Sequence, residues 1–112
     1  MTAVEVLQRW FDAHARGDVT TARELLVDGA PVALPDGTSV LGFDQFMRWY
    51  DARREREGPA FSYEVVDLLG GTHHAAAVIL LRRAAGAGRQ IAVYAISGDR
   101  ITAVQLFEAI GD

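Results

Sequence analysis

The chain has 112 residues, half of them apolar, which is about one domain's length and enough hydrophobic side chain for one modest core. A charged fraction of 23% excludes a disordered chain, and the lack of cysteine excludes disulfide frameworks, thiol nucleophiles and zinc knuckles. A net charge of −4, with eleven arginines spread among fifteen acids, argues against a nucleic-acid partner, and the lack of lysine removes Schiff-base chemistry. Any reaction must therefore use oxygen or imidazole groups, and no cofactor is expected.

Thr2 and Glu5 form a capping box that starts a helix running to Gly17, with Leu7, Trp10, Phe11 and His14 on one face. Glu5 precedes every arginine and no apolar leader follows it, so a cytoplasmic single domain over residues 1–112 is expected. Gly17-Asp18 gives a stop and a new N-cap. A second helix then carries Ala22, Leu25 and Leu26 inward until Gly29. Ala30–Leu34 and Thr38–Leu41 flank Pro35-Asp36-Gly37, whose fixed and permissive backbones suit the turn of a small hairpin with Asp36 exposed.

From Phe43 to Glu57 the spacing of Phe43, Phe46, Met47 and Tyr50 predicts a third helix, ended by Gly58-Pro59. Asp44–Arg48, Arg48–Asp51 and Asp51–Arg54 have the spacing of solvated helical ion pairs. The periodicity then switches to strands at Ala60–Leu69, His73–Ala84, Arg89–Ser97 and Arg100–Ala109, separated by Gly70-Gly71, Gly86-Ala87-Gly88 and Gly98-Asp99. The longest apolar run, Ala75–Leu81, is seven residues and reads as a buried strand, far short of the roughly 20 that cross a bilayer, so no membrane partner is expected. Helices first and strands after predict an α+β layer in which a curved, mostly antiparallel sheet wraps against three helices.

The string Trp10-Phe11-Asp12-Ala13-His14-Ala15-Arg16-Gly17-Asp18, followed by Ala22 and Leu25-Leu26, carries a family resemblance. It is supported by Val40-Leu41-Gly42-Phe43-Asp44 and by the last strand, Asp99-Arg100-Ile101 through Leu106-Phe107-Glu108. Over nearly its whole length the chain resembles the nuclear transport factor 2-like, or SnoaL-like, superfamily, whose cystatin-like cone encloses a pocket. That superfamily includes ketosteroid isomerases, epoxide hydrolases, scytalone-type dehydratases, polyketide cyclases and non-catalytic binding domains, so residues must choose among them. Where the resemblance places the isomerase's carboxylate base the chain has Leu34, at the helix-one tyrosine it has Trp10, and near the protonated aspartate it has Val93. Only Tyr50 matches a supporting tyrosine, so steroid isomerisation by that set of residues is not expected. An epoxide-hydrolase relay with its assisting asparagine is disfavoured too, since the chain has no Asn.

The resemblance implies that His14, one turn after Trp10, faces the cavity, where an imidazole could act as general acid or base; a core histidine bonded to a backbone carbonyl is the alternative. Its expected partner is Glu108, because strand alternation puts Thr102, Val104, Leu106 and Glu108 on one face and the resemblance puts Val104 and Leu106 in the pocket. Asp67 is the rival acid, Glu64 having the opposite facing, and an exposed strand-end carboxylate is the ordinary reading of Glu108. Trp10, Leu34, Phe46, Trp49, Tyr50 and Tyr63 complete an expected wall for a hydrophobic or aromatic small molecule, with Tyr50 as a hydrogen-bond donor. Arg53, one turn after Trp49, either meets an anionic group at the rim or is an ordinary surface arginine. His73 and His74 point to opposite faces of a strand and cannot share an ion, so no metal is expected.

The outer sheet face is expected to pair two copies of the chain. Val93 and Ala95 are read as inward and Tyr94 and Ile96 as outward, together with Ile101, Ala103, Gln105 and Phe107. A sheet apolar on both faces needs two covers, and a twofold copy of itself is the simplest second one. The leading expectation is a cofactor-independent isomerase, cyclase or dehydratase-type enzyme. A non-catalytic binding or assembly module is the alternative.

Overall fold

The computed structural model describes residues 1–109. The first helix, α1 (Ala3–Arg16), starts where the sequence predicts: Thr2 Oγ1 accepts from the Glu5 N–H at 3.2 Å, and Glu5 Oε1 accepts from the Thr2 N–H at 2.9 Å. Gly17 ends it at φ 69°, a left-handed conformation that a side chain would strain. Asp18 then caps α2 (Val19–Leu25), its carboxylate accepting from the Thr21 N–H at 3.1 Å. This helix ends four residues before Gly29, sooner than its sequence predicts, because the chain turns extended at Leu26, which bridges to Ile101. Arg100 offsets the early ending by donating to the carbonyls of Glu24 and Leu26 at 3.0 and 3.3 Å, groups an α-helix end otherwise leaves unpaired.

The predicted hairpin is present as β1 (Pro31–Ala33) paired with β2 (Ser39–Leu41). Gly42, at φ 78°, swings the chain into α3 (Gly42–Glu57). None of the three predicted ion pairs within α3 forms among the described residues; Asp44 instead meets Arg23 of α2 at 2.5 Å, a partner that only tertiary packing supplies. The four long strands β3 (Ser62–Gly70), β4 (His74–Arg83), β5 (Gly86–Ser97) and β6 (Arg100–Ala109) form an antiparallel meander. The sheet order is β2-β1-β6-β5-β4-β3, with β1 parallel to β6, which makes the sheet mixed.

Two strand expectations are corrected. Gly86-Ala87-Gly88 is not a turn; the chain reverses through Ala84-Ala85, and Arg83 pairs with Gly86. Registered this way, Tyr94 lies opposite Ala75 and Ala92 opposite Ala77, so Tyr94 and Ile96 are buried beneath the helices while Val93 and Ala95 face outward. In β6 a bulge opposite Ala95/Ile96 resets the alternation, so Ile101 is fully buried alongside Val104 and Leu106. The core thus lies between the helices and one face of the sheet, built from Val6, Leu7, Trp10, Leu25, Val32, Ile79, Tyr94 and Ile101. Among the described residues no helix is long and apolar enough to cross a membrane.

Candidate ligand-binding site

A cavity of about 770 Å³ opens between α1 and α3, floored by the sheet. Helical spacing puts Trp10 and His14 of α1 on one wall and Phe43, Phe46, Met47 and Tyr50 of α3 on the other. Strands β3, β4, β5 and β6 contribute Tyr63, Ile79, Gln90, Tyr94 and Leu106. Asp18, Arg23, Asp44, Arg48, Asp51 and Arg54 also border it, so charged groups of both signs meet an aromatic interior. A volume of this size matches a drug-sized organic molecule.

Aromatic rings set the shape of the interior. Trp10 stacks near-parallel to Phe46 at 6.3 Å, meets Tyr94 at 6.4 Å, and takes the edge of His14 at 4.2 Å. Tyr50 packs edge-on to Tyr63 at 6.0 Å. Burial raises the hydroxyls of Tyr50, Tyr63 and Tyr94 above the ordinary phenol range, so all three stay protonated and able to donate at neutral pH.

His14 lines the cavity, and its Nε2 is buried with no hydrogen-bond partner among the described residues. Burial lowers the imidazole from 6.5 to about 4, so the ring is neutral at physiological pH. Because the folded value lies below the unfolded one, protonation favours the unfolded chain. The stability His14 contributes is complete above about pH 6.5 and is lost as pH falls through about 4, a change of about 3 kcal/mol. Urea titrations across that window should show the loss in the wild type and a flatter profile in His14→Phe; parallel profiles would remove His14 as its source.

Neither acid expected beside His14 is there. Glu108 is held by Arg53, whose Nη2 donates to Oε1 at 2.7 Å while Nη1 donates to Oε2, and Gln90 Nε2 donates to Oε2 at 3.2 Å. Asp67 is exposed and registers with Val78 on the outer face, because a bulge at Val66 shifts the strand; Glu64 is exposed too and pairs with Arg82 at 3.0 Å. Arg53 is neither a rim group nor a surface arginine: it is 6% exposed, with its guanidinium over Trp49 at 5.8 Å and Phe61 at 5.5 Å. Of the expected wall, Trp10, Phe46, Tyr50, Tyr63 and Leu106 line the cavity. Leu34 and Val104 are core residues away from its lining, and Trp49 is half-buried beside Arg53. His73 and His74 are exposed at the start of β4.

Sequence reasoning missed Tyr94 and Gln90. Their alternation with Ala92 and Ile96 was a visible signal once the preceding turn is placed at Ala84-Ala85.

No family model matches the chain, and no curated protein matches it. Solved structures do. A candidate ketosteroid isomerase from Kribbella flavida superposes with a TM-score of 0.79 at 16% identity, covering 98% of this chain and 79% of that one. A candidate polyketide cyclase from Pseudomonas putida gives 0.75 at 18% identity, covering 98% and 93%. A nuclear transport factor 2-like protein of unknown function from Cytophaga hutchinsonii gives 0.76 at 12% identity, covering 97% and 91%.

Proposed function

The chain has the nuclear transport factor 2-like fold, and from that premise we propose that its cavity binds a hydrophobic, planar carbonyl compound and moves a proton next to the carbonyl without a cofactor. Isomerase-, cyclase- and dehydratase-type reactions share that step. The observation that carries the reading is a neutral His14 on the wall of an aromatic cavity: its Nε2 is sealed and unpartnered, while Nδ1 is not among the sealed atoms and is the nitrogen open to a ligand. A neutral imidazole has one lone pair with which to take the α-proton; the resulting imidazolium gives it to another carbon in an isomerisation, to the attacked carbonyl oxygen in a cyclisation, or to the departing hydroxyl, which leaves as water, in a dehydration. Tyr50 and Tyr63, kept protonated by burial, are the donors suited to the oxygen as it gains negative charge. With Glu108 committed to Arg53, this reading assigns His14 no carboxylate partner. It also departs from classical ketosteroid isomerase chemistry, since Leu34 offers no proton acceptor and the β5 residues in the cavity, Gln90 and Tyr94, include no carboxylic acid.

Deuterium uptake by 2-tetralone in D2O tests the step without knowledge of the natural substrate. The wild type is expected to accelerate exchange over buffer, and His14→Gln to lower the acceleration by about 100-fold. The rate should fall on acidification with an apparent pKa near 4 rather than 6.5. Exchange no faster than buffer would sink the reading.

The outer sheet face supports a further part of the proposal, that two copies pair through it. Val66, Leu69, Ile91 and Phe107 are 47, 56, 38 and 48% exposed there, a density of large apolar side chains that a solvated sheet face does not usually carry. A non-catalytic, dimeric ligand-binding module is the second reading that this face favours.

A further inference from the structure

Gln90 is a polar residue on the wall of an aromatic cavity, 7% exposed, between its cross-strand neighbours Ile79 and Glu108. Its Nε2 donates to Glu108 Oε2 at 3.2 Å. A carboxylate only accepts hydrogen bonds, so this contact decides which end of the amide faces Glu108. The nitrogen is used there. The oxygen, Oε1, accepts nothing from the described residues, and it is not among the side-chain atoms sealed from solvent without a partner.

Glu108 is itself immobilised. Arg53 grips both of its oxygens, and the guanidinium is in turn packed by Trp49 and Phe61. Burial raises the Glu108 carboxyl, but the hydrogen bonds and charge of Arg53 outweigh that and hold it below the ordinary carboxylate range. It therefore stays an acceptor at neutral pH and keeps the amide oriented.

We propose that Gln90 Oε1 is a specificity-determining acceptor that takes a hydroxyl or N–H donor from the ligand, and that Glu108, held by Arg53, is the positioning residue that fixes the amide in that sense. The inference rests on the cavity being a ligand site and adds the chemistry of one end of the ligand. A molecule that suits the site carries a donor on its ring system as well as a carbonyl. One lacking the donor leaves Oε1 desolvated and unpaired, which binding sites penalise heavily.

The test uses 5-, 6- and 7-hydroxy-2-tetralone, each against its methyl ether and against 2-tetralone itself, with dissociation constants from calorimetry. For at least one isomer the wild type is expected to bind the phenol about ten-fold or more tightly than the ether. Gln90→Met should bring that ratio near one. Glu108→Gln should also erase it, because an amide at 108 can offer its own N–H₂ to Gln90 and let the Gln90 amide turn over; a merely structural role for Glu108 would weaken all the ligands alike. If either variant fails to fold, the wild-type ratios and the other variant still decide. Wild-type ratios near one for all three isomers while 2-tetralone binds would overturn the role of Gln90 and leave the ligand site standing. A preference that survives Gln90→Met would do the same. If no tetralone binds the wild type, the ligand-site reading fails and this inference fails with it.

Discussion

Glu108→Leu is expected to destabilise the fold by about 3–5 kcal/mol, the usual cost of stranding one partner of a buried ion pair. Arg53 is 6% exposed, and its guanidinium would lose both acceptors, while Gln90 Nε2 would lose its one. Arg83, whose Nε is already buried without a partner, lies close enough to lower the Glu108 carboxyl and would lose that counter-charge as well. The double variant Arg53→Met/Glu108→Leu should recover most of the loss, since two packed apolar side chains replace a buried pair at little net cost. Urea midpoints for the two single variants and the double variant measure the coupling directly. A double variant as unstable as the sum of the singles would show that the pair contributes through packing alone. The pH dependence has a defined sign. Glu108's folded value is depressed, so its contribution is present above about 4.5 and lost as pH falls through the folded value, a window more acidic than that of His14.

That ion pair also marks where the sequence stops being legible. Arg53 sits in the run Arg53-Arg54-Glu55-Arg56-Glu57, which reads as a solvated helix end, and four of those five residues are partly or fully exposed. Its burial is set by Glu108, 55 residues away, and by Trp49 and Phe61, contacts that no local pattern encodes. Four of the six helix ends, by contrast, were readable because each has a local cause: the Thr2/Glu5 box, Gly17, the Asp18 cap and Gly58. Trp10 and Tyr50 were expected at the cavity from the family resemblance, and helical spacing then puts His14 on the face of Trp10; all three line the cavity.

Tyr94 and Gln90 were missed because the resemblance set Val93, and with it Ala95, toward the pocket, and a turn at Gly86–Gly88 agreed with that parity. Antiparallel partners share a face, and a three-residue turn at Gly86–Gly88 would pair odd with odd numbers, whereas the two-residue turn at Ala84-Ala85 pairs odd with even. Glycine-rich composition favoured the first reading, and the pairing register enforces the second. Every residue of β5 changed face as a result, which also moved the expected outer patch.

On that corrected face, Phe107→Arg is expected to convert a dimer of about twice 12.2 kDa into a monomer, raising the dissociation constant by at least about 100-fold. The register lays one row straight across the meander, Asp67–Val78–Ile91–Phe107, with Leu69–Ala76–Val93–Gln105 beside it. Ile91 and Phe107 are cross-strand neighbours at the β5–β6 end of that row, so a copy related by a twofold axis near them would bury both. An arginine at 107 would be repeated on each copy, placing two unpaired cations in one desolvated patch, and such charges cost several kcal/mol. Ile91→Arg should act in the same way. Tyr94→Arg does not test this contact, because Tyr94 is 2% exposed beneath the helices and its replacement would break the core instead. Light scattering at micromolar concentration reads the outcome: a wild-type mass near 12.2 kDa, or a Phe107→Arg variant that stays dimeric, would end the proposal.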